Sequence, residues 1–195
     1  MITFTVLYDN NAYDTDLTTA WGFSCLVERS GEEATILFDT GGQGDLLLSN
    51  MNSLGKAPHT VETVVLSHNH GDHTGGLSHL LRQGLQPEIY VPASFPAITK
   101  GQIRAAAELI EVDAPVEIAP GIWTTGQIDG SIPEQALAVE TAEGWVVITG
   151  CAHPGIVEMV RAAKKATGGE IRLVMGGFHL GSASEREITR IIEEL

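Results

Sequence analysis

Apolar and polar residues alternate along this chain in two rhythms, one of period two and one close to 3.6. Period two marks the segments near 2–7, 22–28 and 34–38 as strands, because successive strand side chains point to opposite faces. A short helix is predicted from Asp45, which is placed to cap Leu46-Leu47-Leu48. The apolar run at 63–66 reads as a buried strand. A helix near 77–83 and a strand at Glu88-Ile89-Tyr90-Val91 follow. Residues 102–110, Gln102 to Ile110, form a helix by propensity. The second part is strand-rich at 122–125, 136–140 and 145–149, with Glu143-Gly144 as the turn between the last two. A helix over 156–167, a strand over 171–175 and a final helix from about 185 to 194 complete the pattern. Ser184-Glu185-Arg186-Glu187 has the form of a capping box at the start of that final helix. Strands and helices alternate in two strand-rich halves that each close with helices, which is an α/β class pattern. No repeat, low-complexity tract or linker interrupts it, so a single domain over 1–195 is expected.

Composition narrows the function classes. Hydrophobic residues make up 43% and charged residues 18%, the balance of an ordinary globular chain. No apolar run has the length that crosses a bilayer. The start, Met1-Ile2-Thr3-Phe4-Thr5-Val6-Leu7, alternates like a strand and lacks the basic start and apolar stretch of a signal peptide, so a cytoplasmic location and no membrane partner are expected. A net charge of −14 argues against nucleic acid as a partner, since such binding needs basic surface to release counterions. A small-molecule substrate is expected; the oligomeric state is left open. Two cysteines form no disulfide framework. Cys25 lies in a strand-like segment and reads as a small buried apolar residue.

One stretch stands apart from this background. Ser67-His68-Asn69-His70-Gly71-Asp72-His73 follows the apolar run Thr63-Val64-Val65-Leu66 and packs three imidazoles and a carboxylate between His68 and His73. Imidazole nitrogen and carboxylate oxygen are preferred ligands of Zn²⁺ and related ions. Residues two apart on an extended chain point the same way, so His68 and His70 can face one ion. A turn at Gly71 redirects Asp72 and His73 toward a second. Two later segments repeat the layout of apolar strand, tight turn and ligand-type side chain: Val146 to Gly155, with Cys151 and His153, and Leu173 to Leu180, with His179. That repetition argues for a shared site. Cys151 is either a thiolate ligand or a small buried residue, with His153 then completing the first ion's shell. Glu134 is a weaker candidate ligand. His59 and His79 read as surface or helix residues.

The pattern His68-Asn69-His70-Gly71-Asp72-His73, continued by Thr74-Gly75-Gly76-Leu77, resembles the signature of the metallo-β-lactamase superfamily. Ile36-Leu37-Phe38-Asp39-Thr40-Gly41-Gly42 resembles its strand–Asp–Thr–Gly motif, whose Asp lies beside the metal site. The resemblance implies a four-layer αββα sandwich of the metallo-β-lactamase type. It implies two divalent metal ions, Zn²⁺ with Mn²⁺ or Fe²⁺ as alternatives, with His68, His70, Asp72, His73 and His179 carried over as ligands; Cys151 and His153 are added to the metal-ligand set by the residues themselves. Asp39 is then a partner of a ligand imidazole, or else a turn Asp before Gly41-Gly42. The chain departs from the superfamily pattern in the middle. No His lies between His79 and His153, Pro133-Glu134-Gln135 occupies the place of the third His, and Cys151 stands where a bridging Asp is usual. Thr149 to Ile156 and Gly176 to Leu180 resemble one branch, named for an archaeal dihydropterin-methyl ribofuranosylaminobenzene phosphate synthase, with the middle near 92–101 trimmed.

A metal pair lowers the pKa of a shared water, and the hydroxide can attack a carbonyl or phosphorus, with Asp72 binding an ion and orienting the hydroxide. The first expectation is therefore a metal-dependent hydrolase of a small ester, lactone or phosphoester. The second is carbon–nitrogen bond formation on a pterin-like substrate. Redox chemistry at di-iron is disfavoured by His70, where that branch carries Glu. A non-catalytic metal-binding module stays open because residues 92–135 offer no obvious substrate pocket.

Overall fold

The computed structural model describes residues 1–11, 13–14, 16–31 and 35–195. The predicted strand residue Ala34 lies outside them. The chain divides into two compact units, Met1–Glu111 and Val112–Leu195.

The first unit is built on one sheet in the order β1-β2-β3-β4-β5-β6. Its strands are β1 (Ile2–Tyr8), β2 (Ser24–Arg29), β3 (Thr35–Phe38), β4 (Thr63–Val65), β5 (Glu88–Pro92) and β6 (Glu108–Val112). β1, β2 and β3 pair antiparallel; β3–β4 and β4–β5 pair parallel. Parallel neighbours need crossovers, and α1 (Gly44–Ser53) and α3 (Leu77–Leu81) lie in them. Leu37, Val64 and Ile89 from the sheet pack with Leu47, Met51 and Leu80 from these helices in a core without solvent access. Each such side chain contributes about 1.5–3 kcal/mol on burial. The capping prediction for α1 is corrected. Gln43 is the N-cap and no side chain caps it, while Asp45 sits in the first turn, where its charge still favours the helix dipole.

The helix predicted over 102–110 is also corrected. The observed α4 runs Ala97–Arg104 and the chain then turns into β6. Helical propensity loses because Glu108–Val112 completes the sheet beside β5. Glu111 on β6 is gripped from α4 by Lys100, whose Nζ lies 2.7 Å from it and also donates to the Ala93 carbonyl, and by Arg104.

The second unit carries the sheet β11-β10-β9-β8-β7. These are β7 (Val116–Ala119), β8 (Ile122–Thr124), β9 (Leu137–Thr141), β10 (Gly144–Thr149) and β11 (Ile171–Gly176). β7, a strand not predicted from the pattern, pairs antiparallel with β8. The β9–β10 hairpin turns at Ala142-Glu143, one residue earlier than predicted, with Gly144 opposite Thr141. β10 and β11 are parallel, joined through α5 (Ile156–Thr167), which buries Ile156, Met159 and Ala163 against Ala138 and Val147. The last helix, α6 (Glu185–Glu194), opens with the predicted capping box between Ser184 and Glu187. Among the described residues no helix is long and apolar enough to cross a membrane.

In both units the motif residues lie just past the C-terminal ends of neighbouring parallel strands, where α/β sheets place ligands. Asp39 follows β3 and Ser67-His68 follows β4; Cys151 follows β10 and His179 follows β11.

Candidate metal centre

In the first unit the ligand loop leaves β4 and enters the one-turn helix α2 (Gly71–Thr74) at His70, so that Asp72 and His73 sit on helical rather than extended backbone. The loop is tied to the β3 end from the main chain: Asp39 N donates to the Val65 carbonyl at 2.9 Å, and Thr40 N and Oγ1 both donate to the His73 carbonyl, at 2.7 and 2.9 Å. Gly76 lets the two loops close. A Cβ there would stand 2.1 Å from the Thr40 carbonyl oxygen, which no side chain tolerates.

Three imidazoles converge. The His68 ring lies 4.6 Å from that of His70 and 4.3 Å from that of His73, centroid to centroid, and His68 Nε2 is 3.1 Å from His70 Nδ1. Tetrahedral zinc with nitrogen at about 2.0–2.1 Å holds its ligands about 3.3 Å apart, so this spacing fits one ion shared by the two rings. The Asp72 carboxylate lies 3.6 Å from His73 Nε2.

Asp39 sits behind this cluster, fully buried. Its Oδ1 accepts Ser67 N at 2.7 Å, and its Oδ2 accepts Ser67 Oγ and His73 Nδ1, each at 2.7 Å. A carboxylate only accepts, so His73 carries its proton on Nδ1 and presents the lone pair of Nε2. The Ser67 hydroxyl gives its one proton to Asp39 and can only accept from His68 Nδ1, 2.8 Å away, which leaves His68 Nε2 bare as well. One buried carboxylate thus sets the tautomers of two imidazoles. That favours the reading of Asp39 as an orienting partner over that of a turn Asp.

In the second unit one sulfur or nitrogen atom from each of Cys151, His153 and His179 lies within 4.8 Å of the others. The His153 and His179 rings are 4.6 Å apart. The two loops are stitched by Gly177 N donating to the Gly150 carbonyl at 3.0 Å and Thr149 Oγ1 donating to the Gly177 carbonyl at 2.9 Å. Gly176, with φ +112°, lets β11 approach, since a Cβ would lie 2.0 Å from the Thr149 carbonyl oxygen. One thiol and two imidazoles at this spacing fit a thiophilic divalent ion such as Zn²⁺. Glu134, the weaker candidate, accepts four backbone N–H groups of the 150–153 turn on its carboxylate.

Among the described residues only three non-glycine residues have positive φ: Asp39 (56°), Ala152 (58°) and His179 (52°). Each lies in one of these loops. Such backbone costs of order 1–3 kcal/mol per residue and persists where surrounding contacts impose it, commonly at functional sites.

The two cysteines differ in their surroundings. Cys25 is without solvent access, and burial pushes its thiol up to about 12. Cys151 is half-buried. A thiol reagent added to the folded protein is expected to label Cys151 and spare Cys25, and prior loading with Zn²⁺ should slow the labelling of Cys151. Mass spectrometry of the labelled peptides reads both. His59 is exposed in a short 3₁₀ turn, and His79 packs on Gly44 with its Nε2 3.6 Å from Asp45, so neither joins the cluster.

Comparison with known proteins matches residues 22–163 to the model of the metallo-β-lactamase superfamily. The chain belongs to that superfamily. It is 28% identical, over 98% of its length and 82% of the relative's, to the 7,8-dihydropterin-6-methyl-4-(β-D-ribofuranosyl)-aminobenzene-5′-phosphate synthase of Methanocaldococcus jannaschii. An uncharacterized protein of the same archaeon is also 28% identical, over 96% of this chain and 83% of that one. Among solved structures, a metal-dependent hydrolase of the β-lactamase superfamily aligns over 100% of this chain and 83% of its own, with TM-score 0.80 and 26% identity. A quorum-quenching N-acyl homoserine lactone lactonase aligns over 94% and 95% at TM-score 0.58 and 17% identity, a likeness of fold alone. The fold is therefore the mixed α/β metallo-β-lactamase fold that the motifs imply. The expectation of a hydrolase of a small ester, lactone or phosphoester is overturned. The sequence relative with an assigned activity, matched over nearly the whole chain, is a synthase. The segments around Cys151 and His179 carry the sequence signal for this, through their resemblance to the same branch.

Proposed function

We propose that this protein is a metal-dependent synthase that joins a dihydropterin methyl carbon to the nitrogen of a ribofuranosyl-aminobenzene phosphate, the reaction class named by its archaeal relative. The observation that carries the reading is the 28% identity spanning 98% of the chain. His68, His70, Asp72 and His73, and Cys151, His153 and His179, would hold the metal ions, with Zn²⁺ the ion best suited to the thiol and imidazole donors. When bound, a divalent cation supplies Lewis-acid stabilisation of negative charge on a departing oxyanion.

The chain's own residues account for the rest. The amine lone pair forms the new C–N bond as the bond from the pterin methylene carbon to an oxyanion leaving group breaks, its electrons departing with oxygen. The nitrogen then loses one proton, which we assign to the partly exposed Asp72 carboxylate through the oxygen that does not hold an ion. A cavity of about 560 Å³ beside the ligand loop is lined by Leu66, Asn69, Thr74, Thr99, Gln102 and Ile103, among others. Its volume suits a small heterocycle between apolar walls with a few polar groups. Thr99, Gln102 and Ile103 come from the stretch expected to offer no pocket, because α4 brings them beside the loop; Thr99 Oγ1 lies 3.3 Å from Asn69 Oδ1.

The test uses metal-loaded protein, an activated 6-hydroxymethyl-dihydropterin and an aminobenzene ribofuranosyl phosphate carrying a labelled amine nitrogen. The expected product contains both ring systems and the label. Consumption of the pterin with no label incorporated would contradict the reading.

A further inference from the structure

Glu134 is fully buried in the second unit, three residues before β9, and its carboxylate accepts four backbone N–H groups of one loop. Its Oε1 accepts the N–H groups of Gly150, Cys151 and Ala152 at 3.0, 2.9 and 3.0 Å, and its Oε2 accepts that of His153 at 2.9 Å. Four consecutive amides aimed at one anion make the concave nest that proteins use to hold phosphate or other anions. Here the chain supplies the anion itself. The Ala152 backbone, at φ +58°, has the left-handed turn that such a nest requires and that a side chain normally avoids.

Glu134 is itself fixed. Its main chain exchanges both hydrogen bonds with Ile128, at 3.1 and 2.8 Å. The next residue, Gln135, accepts the Thr124 hydroxyl, and Ala136 N donates to Thr125 Oγ1 at 2.9 Å. The carboxylate is thus a rigid post, and the turn 150–153 is wrapped around it. Setting the peptide planes on both sides of Ala152 sets the Cα–Cβ directions of Cys151 and His153, the two residues of that turn with ligand atoms. A buried charge is costly to desolvate. A neutral side chain would fill the same volume at lower cost if the turn needed filling only.

We infer that Glu134 is a positioning residue that pre-forms the Cys151–His153 turn for metal binding. Three amide donors converge on Oε1 and one on Oε2, so the carboxylate is engaged with the turn from both oxygens. The inference rests on the reading of Cys151 and His153 as ligands. It accounts for the place where the superfamily pattern fails: the residue standing where a third His is usual holds the neighbouring ligand turn from behind.

The test substitutes Co²⁺, whose near-ultraviolet thiolate charge-transfer band reports coordination by Cys151, and follows the amides of 150–153 by NMR hydrogen exchange in metal-free protein. In the wild type the band appears and the four amides are protected without metal. Glu134→Gln keeps the size but opposes an NH₂ group to donor amides. It is expected to keep the melting transition cooperative, lose the amide protection, and weaken Co²⁺ binding by about 10–100-fold, the usual effect of losing an orienting partner. Glu134→Ala should behave alike, with added formate restoring protection and the band, since formate can enter the nest. A wild-type protein that binds Co²⁺ without the thiolate band would overturn the assignment of Cys151 as ligand. A wild type with the band, and a Glu134→Gln protein with equal affinity and equal amide protection, would overturn the role of Glu134. If neither variant folds, the wild-type amides decide: exchange of 150–153 as fast as exposed loop amides contradicts the inference.

Discussion

His68→Ala is expected to abolish retention of metal at the first cluster, and His179→Ala to do so at the second. Each should weaken binding by more than about 100-fold, beyond the 10–100-fold typical of residues that only orient a ligand. His68 is fully buried among His70, His73 and Ser67, so no neighbour can swing into its place. His179 is exposed but held at φ 52° on the loop after β11, which aims its ring at His153. His59→Ala is the control and should leave metal content unchanged. Elemental analysis after dialysis reads all three. Wild-type metal content in both ligand variants would mean that these residues are not the site.

Asp39→Ala is expected to reduce both stability and metal affinity. The substitution strands three buried donors, Ser67 N, Ser67 Oγ and His73 Nδ1. Stranded buried donors cost about 1–3 kcal/mol each before relaxation, so a net loss of about 3 kcal/mol is reasonable. For a chain of this length that lowers Tm by roughly 6–12 °C. Asp39→Asn separates the two effects. It retains one acceptor but puts an amide NH₂ toward His73 Nδ1, which drives that ring to the other tautomer and withdraws the Nε2 lone pair. Most of the metal affinity should go, about 10–100-fold, with less of the stability. Calorimetric melting of the metal-free variants together with Zn²⁺ titration distinguishes them. Equal affinity in Asp39→Asn and wild type would show that the tautomer of His73 does not matter.

Much of this was legible in the sequence because the informative signals are local. The six residues from His68 to His73 follow an apolar strand, and Asp39 follows another, so their presence at strand ends could be read directly. The helix at 156–167 was readable from its period, and that at 185–194 from its capping residues as well. What was not legible depends on partners distant in sequence. Residues 108–112 have helix-compatible composition and become strand only because β5 and the cations of α4 receive them. β7 has four residues and gains its identity from β8. The purpose of Glu134 lies in amides 16–19 positions away, which no local pattern reveals. The reaction was the least legible feature, since the ligand motif describes the ions and the cavity near α4 only forms when the chain folds.

The central claim is that metal held by these histidines and Cys151 serves carbon–nitrogen bond formation. It is tested most directly by following the joined product with the metal stripped and then restored. Chelated protein should form none, and one addition of Zn²⁺, Mn²⁺ or Fe²⁺ should restore the joining of dihydropterin to arylamine in wild type but not in His68→Ala. Equal product formation by the stripped and reloaded wild type, or by His68→Ala, would contradict the account.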